Sequence, residues 1–171
     1  MEFNEYMIKR NKTAVEKLLS FLLYVAATIL SVIGFTALAS SGIGGIALLL
    51  VCGLYYGAHK LSSRMNKEFE YICTEDNLDI DVIMNTTSRK RLISFSIKDV
   101  EVIASVNDDN YKKRLNEEFV KKLDATTARK DANVYFAIVD KKGKTLVMFE
   151  PPHSILSHLY KYAPSKVHIT L

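Results

Sequence analysis

One long stretch of this chain carries no charged side chain: it runs from Leu18 to Ala58 and covers 41 of the 171 residues. As a single α-helix it would extend about 61 Å, roughly twice the hydrocarbon thickness of a bilayer. Its middle holds the helix-breaking run Ala39-Ser40-Ser41-Gly42. The stretch therefore predicts two membrane-spanning helices, at 18–39 and 43–58, joined by a tight turn.

Basic residues flank the outer ends of the two predicted spans, while the turn between them has none. Those before the first span are Lys9, Arg10, Lys12 and Lys17, and those after the second are Lys60, Arg64 and Lys67. A cleaved signal peptide does not fit, because a second apolar run follows the first immediately. By the positive-inside rule we expect an integral protein of the cell membrane with both termini in the cytoplasm.

Residues 1–17 form a short head that is basic and amphipathic. Phe3, Met7, Ala14 and Leu18 recur near helical spacing, with lysines and an arginine on the other faces. The head is therefore predicted to be helical. It is either a helix that lies in the membrane interface or a plain extension of the first span.

The second span contains Gly53 and Gly57 in a Gly-x-x-x-Gly spacing, which lets helix backbones approach closely. These glycines are candidate helix-packing residues. Packing within the hairpin is the favoured interpretation, because an intramolecular partner is always present. Self-association into a homo-oligomer is the alternative.

From about residue 67 the pattern changes from helical to strand periodicity, which predicts a cytoplasmic domain over 67–171. Alternation or short apolar runs predict strands at 69–73, 78–82, 92–97, 100–106, 134–139 and 145–149, and a last short strand from Val167 to Leu171. Short connections make the first four strands antiparallel. Between these four strands and the last hairpin, a helix is predicted whose apolar face consists of Leu115, Phe119, Val120 and Leu123. A C-terminal helix is predicted at 152–163.

Together these elements predict an α+β chain. A two-helix transmembrane hairpin is followed by a small antiparallel sheet that curls and is closed at one end by the C-terminal helix. That arrangement is similar to a pleckstrin-homology (PH)-like fold. A plain open sheet with the helix packed on one face is the alternative, and neither fold specifies a function.

Several short segments resemble a family of small bacterial two-span membrane proteins with a cytoplasmic PH-like domain. They are Glu5 to Thr13, Phe69-Glu70-Tyr71, Leu78-Asp79-Ile80-Asp81, Arg89-Lys90-Arg91-Leu92 and Phe149-Glu150-Pro151. The resemblance spans nearly the whole chain and implies the same two-part layout. It implies no activity for any residue.

Motifs for catalysis are absent from the sequence. No phosphate-binding loop or nucleophile elbow occurs, and the four histidines have no metal-ligand spacing. Asp79 and Asp81 share a strand face, but their alternation with Leu78 and Ile80 favours a solvated surface. We therefore expect no enzyme, no catalytic residue, no metal site and no cofactor. The net charge of +4 is too small to predict nucleic-acid binding.

The basic run Arg89-Lys90-Arg91 is predicted at a strand opening. It is a candidate contact for a lipid headgroup, a phosphate or a partner, although a charged hairpin end more often contacts only water. Our leading functional hypothesis is a membrane-tethered, non-catalytic binding or scaffolding module, with membrane lipid and a protein as partners. The alternative is an accessory subunit of a larger membrane complex assembled through its transmembrane helices.

Overall fold

The computed structural model describes residues 3–141 and 143–169. The chain divides into two compact units. One is Lys12–Lys67, and the other combines Met1–Asn11 with Glu68–Leu171. The second unit is therefore built from both ends of the chain, with the first unit inserted between them.

The inserted unit is a helical hairpin of α1 (Ala14–Ser40) and α2 (Gly44–Ser63). The first helix starts with a capping box: the Thr13 hydroxyl accepts from the Glu16 amide, and the Glu16 carboxylate accepts from the Thr13 amide. The turn between the helices uses Gly42 at φ +79°, a left-handed conformation that favours glycine. These signals fix where the first helix begins and where the chain reverses.

Both helices are long and apolar enough, by length and composition, to cross a membrane. In their most apolar windows only 11% and 17% of the residues are buried. A core helix of a soluble protein would be mostly buried, so these helices present apolar side chains to their surroundings. Across the hairpin, the Thr28 hydroxyl lies 2.9 Å from the Tyr55 hydroxyl and the Tyr24 hydroxyl 3.3 Å from His59 Nδ1.

The first sheet of the other unit has four strands in the order β1-β2-β3-β4. They are β1 (Phe3–Lys9), β2 (Lys67–Thr74), β3 (Asn77–Met84) and β4 (Ser88–Ser96). The predicted helical head is wrong, because residues 3–9 form a strand antiparallel to β2, from Phe3 opposite Thr74 to Lys9 opposite Glu68. Pairing with β2 supplies the backbone hydrogen bonds and directs Ile8 into the core, which overrides the weak helical spacing.

The second sheet has the order β5-β7-β8-β6. Its strands are β5 (Val100–Ser105), β6 (Lys121–Ala125), β7 (Tyr135–Asp140) and β8 (Lys144–Phe149). The helix predicted from Leu115 to Leu123 is wrong. A short 3₁₀ helix at Lys112–Asn116 is followed by β6, which pairs in parallel with β8. Leu115 and Phe119 instead cover the outer face of this sheet, against Phe136 and Ile138.

The main hydrophobic core lies where the inner faces of both sheets meet α3 (His153–Tyr162). The helix contributes Ile155, Leu156 and Leu159, which are all buried. After α3, Val167 makes an isolated parallel bridge with Ile103, and the last predicted residue of that tail, Leu171, lies outside the described residues. Two sheets closed by a C-terminal helix confirm the predicted α+β, PH-like fold class.

Candidate functional site

The basic run Arg89-Lys90-Arg91 lies inside β4, because this strand begins at Ser88, four residues before the predicted start at Leu92. Its residues pair with Ile83, Val82 and Asp81 of β3, in that order. Because side chains alternate along a strand, Arg89 and Arg91 share one face and Lys90 points to the other. The two arginines contact carboxylates of β2 and β3, so the face they share is the outer face of the first sheet.

Arg91 bridges two aspartates of β3. Its Nη1 lies 2.6 Å from Asp79 Oδ2, and its Nε donates to Asp81 Oδ1. Asp81 is only 4% exposed, so the prediction of a solvated surface is wrong for this residue. The arginine supplies the compensating charge that a buried carboxylate requires.

Arg89 makes the second ion pair, with Glu70 of β2. Arg89 Nη2 lies 2.7 Å from Glu70 Oε1, while Oε2 of the same carboxylate is buried and accepts no hydrogen bond from any described residue. Burial raises the pKa of Glu70 above its ordinary value, and the neighbouring carboxyl group of Glu5 raises it further. One side of this face therefore holds more negative charge than its arginines neutralise.

Sequence reasoning missed Glu70 and Glu5 as members of this cluster. Glu70 alternates with Phe69 and Tyr71, which face the core, so it shares the outer face of β2. The sequence therefore indicates the face on which Glu70 lies. It does not indicate the position of Glu5, because the helical spacing of Phe3 and Met7 predicts a helix where β1 pairs with β2.

The cluster is better suited to a partner that brings positive charge than to an anion. A phosphate would have to compete with carboxylates for Arg89 and Arg91, and a carboxylate beside it would repel it. Lys90 is exposed and has no side-chain partner among the described residues. Within those residues no group of three or more His, Cys, Asp or Glu side chains is arranged to hold a metal ion.

Two other basic runs, Lys112-Lys113-Arg114 and Lys141-Lys142-Gly143-Lys144, also contain paired members. Arg114 and Lys144 both contact Glu101 and Glu117, so the four side chains form one network beside the second sheet. The hydrogen bonds from Arg114 and Lys144 lower the pKa of Glu117 to about 2. Lys142 lies outside the described residues.

Gly53 and Gly57 do not make the close approach expected within the hairpin. Apart from the neighbouring residues and the backbone of its own helix, a side-chain carbon placed on either glycine would meet no atom of the described residues within 4 Å. The tight contact of the hairpin is elsewhere: a carbon placed on Gly34 of α1 would lie 2.9 Å from Leu50 Cδ2. Gly53 and Gly57 instead line an open groove together with small residues of α1 such as Ala26.

The fold and this charged face define a PH-like domain whose first strand is separated from its second by an apolar helical hairpin. The chain belongs to the family described as Bacterial PH-like domain (DUF6106), whose model matches residues 2–169. The match covers the hairpin and the sheets together. No curated protein and no solved structure matches the chain.

Proposed function

We propose that this protein is an integral protein of the bacterial cell membrane whose PH-like domain, held at the cytoplasmic face, binds a protein segment without catalysis. The observation that carries the proposal is the position of the hairpin between two strands that pair with each other. PH-like domains are generally non-catalytic, which favours a binding role over an enzymatic one.

Strand pairing supports the orientation of the hairpin. β1 and β2 pair along their length, from Phe3 opposite Thr74 to Lys9 opposite Glu68. The chain therefore enters and leaves the hairpin on the same side of any bilayer that the hairpin crosses. The basic residues at both outer ends of the hairpin favour the cytoplasm as that side.

The charged outer face of the first sheet supports a protein rather than an anionic headgroup as the ligand. Arg89 and Arg91 are already ion-paired, and Lys90 points to the other face of the sheet, so the basic run offers this face no free cation among the described residues. Charge reversal at either arginine would also leave a buried carboxylate without its ion-pair partner. Asp79 is the partly exposed carboxylate of the cluster, so the informative variant is Asp79→Lys, which reverses its charge and leaves Asp81 to pair with Arg91.

The test is co-purification of tagged full-length protein from its native membrane. We expect one or more specific proteins to travel with the wild type, to be lost with Asp79→Lys, and to be kept with Glu118→Lys. Glu118 is a matched control because it is exposed and forms no ion pair among the described residues. Failure to recover any specific protein contradicts the proposal, and binding that instead follows the anionic lipid content of reconstituted vesicles identifies a headgroup as the ligand.

The open glycine groove favours a second candidate function, an accessory subunit that assembles through its transmembrane helices. In that case Gly53→Leu releases the co-purified protein, while Asp79→Lys retains it. Gly45→Leu is the control, because a carbon placed on Gly45 also meets nothing within 4 Å and this residue lies outside the Gly-x-x-x-Gly spacing. Loss of the protein with the charged-face variant and its retention with Gly53→Leu supports the binding module.

A further inference from the structure

The two sheets have four edge strands, and three of them are protected. The β5 edge is covered by the C-terminal segment: the Ile103 amide donates to the Lys166 carbonyl over 2.7 Å, and its carbonyl accepts from the His168 amide over 2.8 Å. β4 carries the basic run 89–91, and β6 carries exposed Lys121 and Lys122. Charged side chains on an edge are a common means of preventing strand addition.

The fourth edge, β1, is not covered by another segment among the described residues, and its two exposed charged side chains, Glu5 and Lys9, have opposite signs. Within the described residues its backbone hydrogen bonds go to β2 alone. It also exposes large apolar side chains: Phe3 is 59% exposed, Met7 49% and Tyr6 42%. A strand with an unpaired row of amides and carbonyls and an apolar surface is a template for another strand.

We propose that β1 pairs antiparallel with β1 of a second copy of this chain, which joins two four-stranded sheets into one eight-stranded sheet. A two-fold axis between two identical strands makes them antiparallel, so the edge is complementary to itself. The new ladder satisfies backbone groups that are unpaired in the single copy, and it buries the apolar side chains of both strands.

Charge selects the register of this pairing. With Met7 opposite Met7 of the second copy, Glu5 lies opposite Lys9 of the second copy, and the symmetry repeats that ion pair. Tyr6 then faces Ile8 across the other side of the ladder. A shift that centres the axis on Tyr6 places Glu5 opposite methionine and Phe3 opposite lysine, and both ion pairs are lost.

The ion pair in the favoured register also supplies positive charge where a single copy has neighbouring carboxyl groups. Glu5 lies beside Glu70, whose Oε2 is buried and has no partner, and Arg89 is the only cation bonded to that carboxylate among the described residues. A lysine ammonium arriving opposite Glu5 adds positive charge to this pair of carboxyl groups. Opposite charges placed directly across an antiparallel ladder stabilise it.

Disulfide trapping in the full-length chain tests the pairing and its register. The background carries Cys52→Ser and keeps Cys73, which is fully buried. With Met7→Cys, opposed Cα atoms in an antiparallel pair are about 4.5–5.5 Å apart, within disulfide range. We expect mild oxidation of native membranes to give a covalent dimer in most of the protein.

Two further cysteine variants fix the register. In Glu5→Cys alone the two thiols are four residues apart along the ladder, about 13 Å, so we expect little dimer. Differently tagged Glu5→Cys and Lys9→Cys chains expressed together should give the mixed dimer. A monomeric Met7→Cys, or equal cross-linking of a Val120→Cys control on a different part of the surface, would overturn the proposal.

A second measurement does not depend on cysteine chemistry. Light scattering of the detergent-solubilised protein should give a dimer mass for the wild type and for Val120→Lys. It should give a monomer mass for Met7→Lys, which opposes two like charges at the axis, with an unchanged circular dichroism spectrum. A dimer that survives Met7→Lys but dissociates with Gly53→Leu would assign self-association to the glycine groove and refute the strand pairing.

Discussion

Tyr71 connects three parts of the PH-like domain that are far apart in the sequence. Its ring is fully buried in the main core, edge-on to Phe149 at a centroid distance of 5.9 Å. Its hydroxyl donates to the Ala125 carbonyl over 2.5 Å and accepts from the Glu150 amide over 3.0 Å. One side chain thus satisfies two buried backbone groups, one at the end of β6 and one just after β8.

We predict that Tyr71→Phe destabilises the protein by about 1–3 kcal/mol, because it leaves a buried carbonyl and a buried amide without a partner. The measurement is urea unfolding of the full chain in detergent, followed by circular dichroism. Tyr135→Phe is the matched control: Tyr135 is 1% exposed, and no hydrogen bond is made by its hydroxyl among the described residues. Equal loss of stability in both variants would contradict the assigned role of the Tyr71 hydroxyl.

At this scale the sequence predicts which way a residue faces better than what it contacts. The alternation of Phe69, Tyr71 and Cys73 correctly indicates a core-facing row. The partners of the Tyr71 hydroxyl lie 54 and 79 positions away, and no local pattern encodes them. The alternation also correctly predicts that Asp81 lies on the outer face of its strand. It does not predict that Asp81 is buried there in an ion pair with Arg91 of the next strand.

Among the elements, the segment between β5 and β6 is held on the second sheet by both apolar and charged contacts. Tyr111, Leu115 and Phe119 pack against the outer face of that sheet. Arg114 and Glu117 from the segment meet Glu101 of β5 and Lys144 of β8. The network therefore connects the segment to two strands.

This network predicts a loss of stability in acid. Hydrogen bonds with Arg114 and Lys144 lower the pKa of Glu117 to about 2, and the hydrogen bond with Arg114 lowers the pKa of Glu101. Because the folded-state pKa lies below the unfolded value, the contribution is complete above about pH 5 and disappears as the pH falls toward 2. We expect the thermal midpoint to fall less between pH 5 and pH 3 in Glu117→Gln than in the wild type.

Glu118→Gln is the control for this measurement, because Glu118 is exposed and forms no ion pair within the described residues. Its thermal midpoint should follow the wild type at both pH values. A wild-type pH dependence that Glu117→Gln leaves intact would show that other carboxylates carry the acid sensitivity.

Elements that were predicted wrongly depend on partners distant in the chain. β1 pairs with a strand on the far side of the hairpin, and its alternation of Tyr6 and Ile8 was obscured by equally good helical spacing of Phe3 and Met7. β6 is a five-residue segment with little intrinsic strand preference, and its parallel pairing with β8 makes it a strand. The first-sheet hairpins, by contrast, pair locally and were predicted.

At the scale of the whole molecule, the apolar hairpin interrupts a domain rather than preceding one. The sequence predicts two apolar helices from the absence of charge, because that absence is a local property. It does not predict that residues 3–9 belong to the sheet domain, because this follows from pairing across the hairpin. The basic flanks alone favour one side of the membrane for both ends of the hairpin. The pairing of β1 with β2 requires both ends to lie on the same side of any bilayer that the hairpin crosses.

Accessibility of introduced cysteines in spheroplasts tests most directly whether the hairpin crosses the membrane with its flanking strands on the cytoplasmic side. In a Cys52→Ser background, Ser41→Cys reports on the turn between the helices and Lys130→Cys on an exposed loop of the PH-like domain. The account predicts that a membrane-impermeant maleimide labels position 41 in intact spheroplasts and position 130 only after lysis. Labelling of position 130 from outside, or recovery of the unmodified protein in the soluble fraction without detergent, would contradict it.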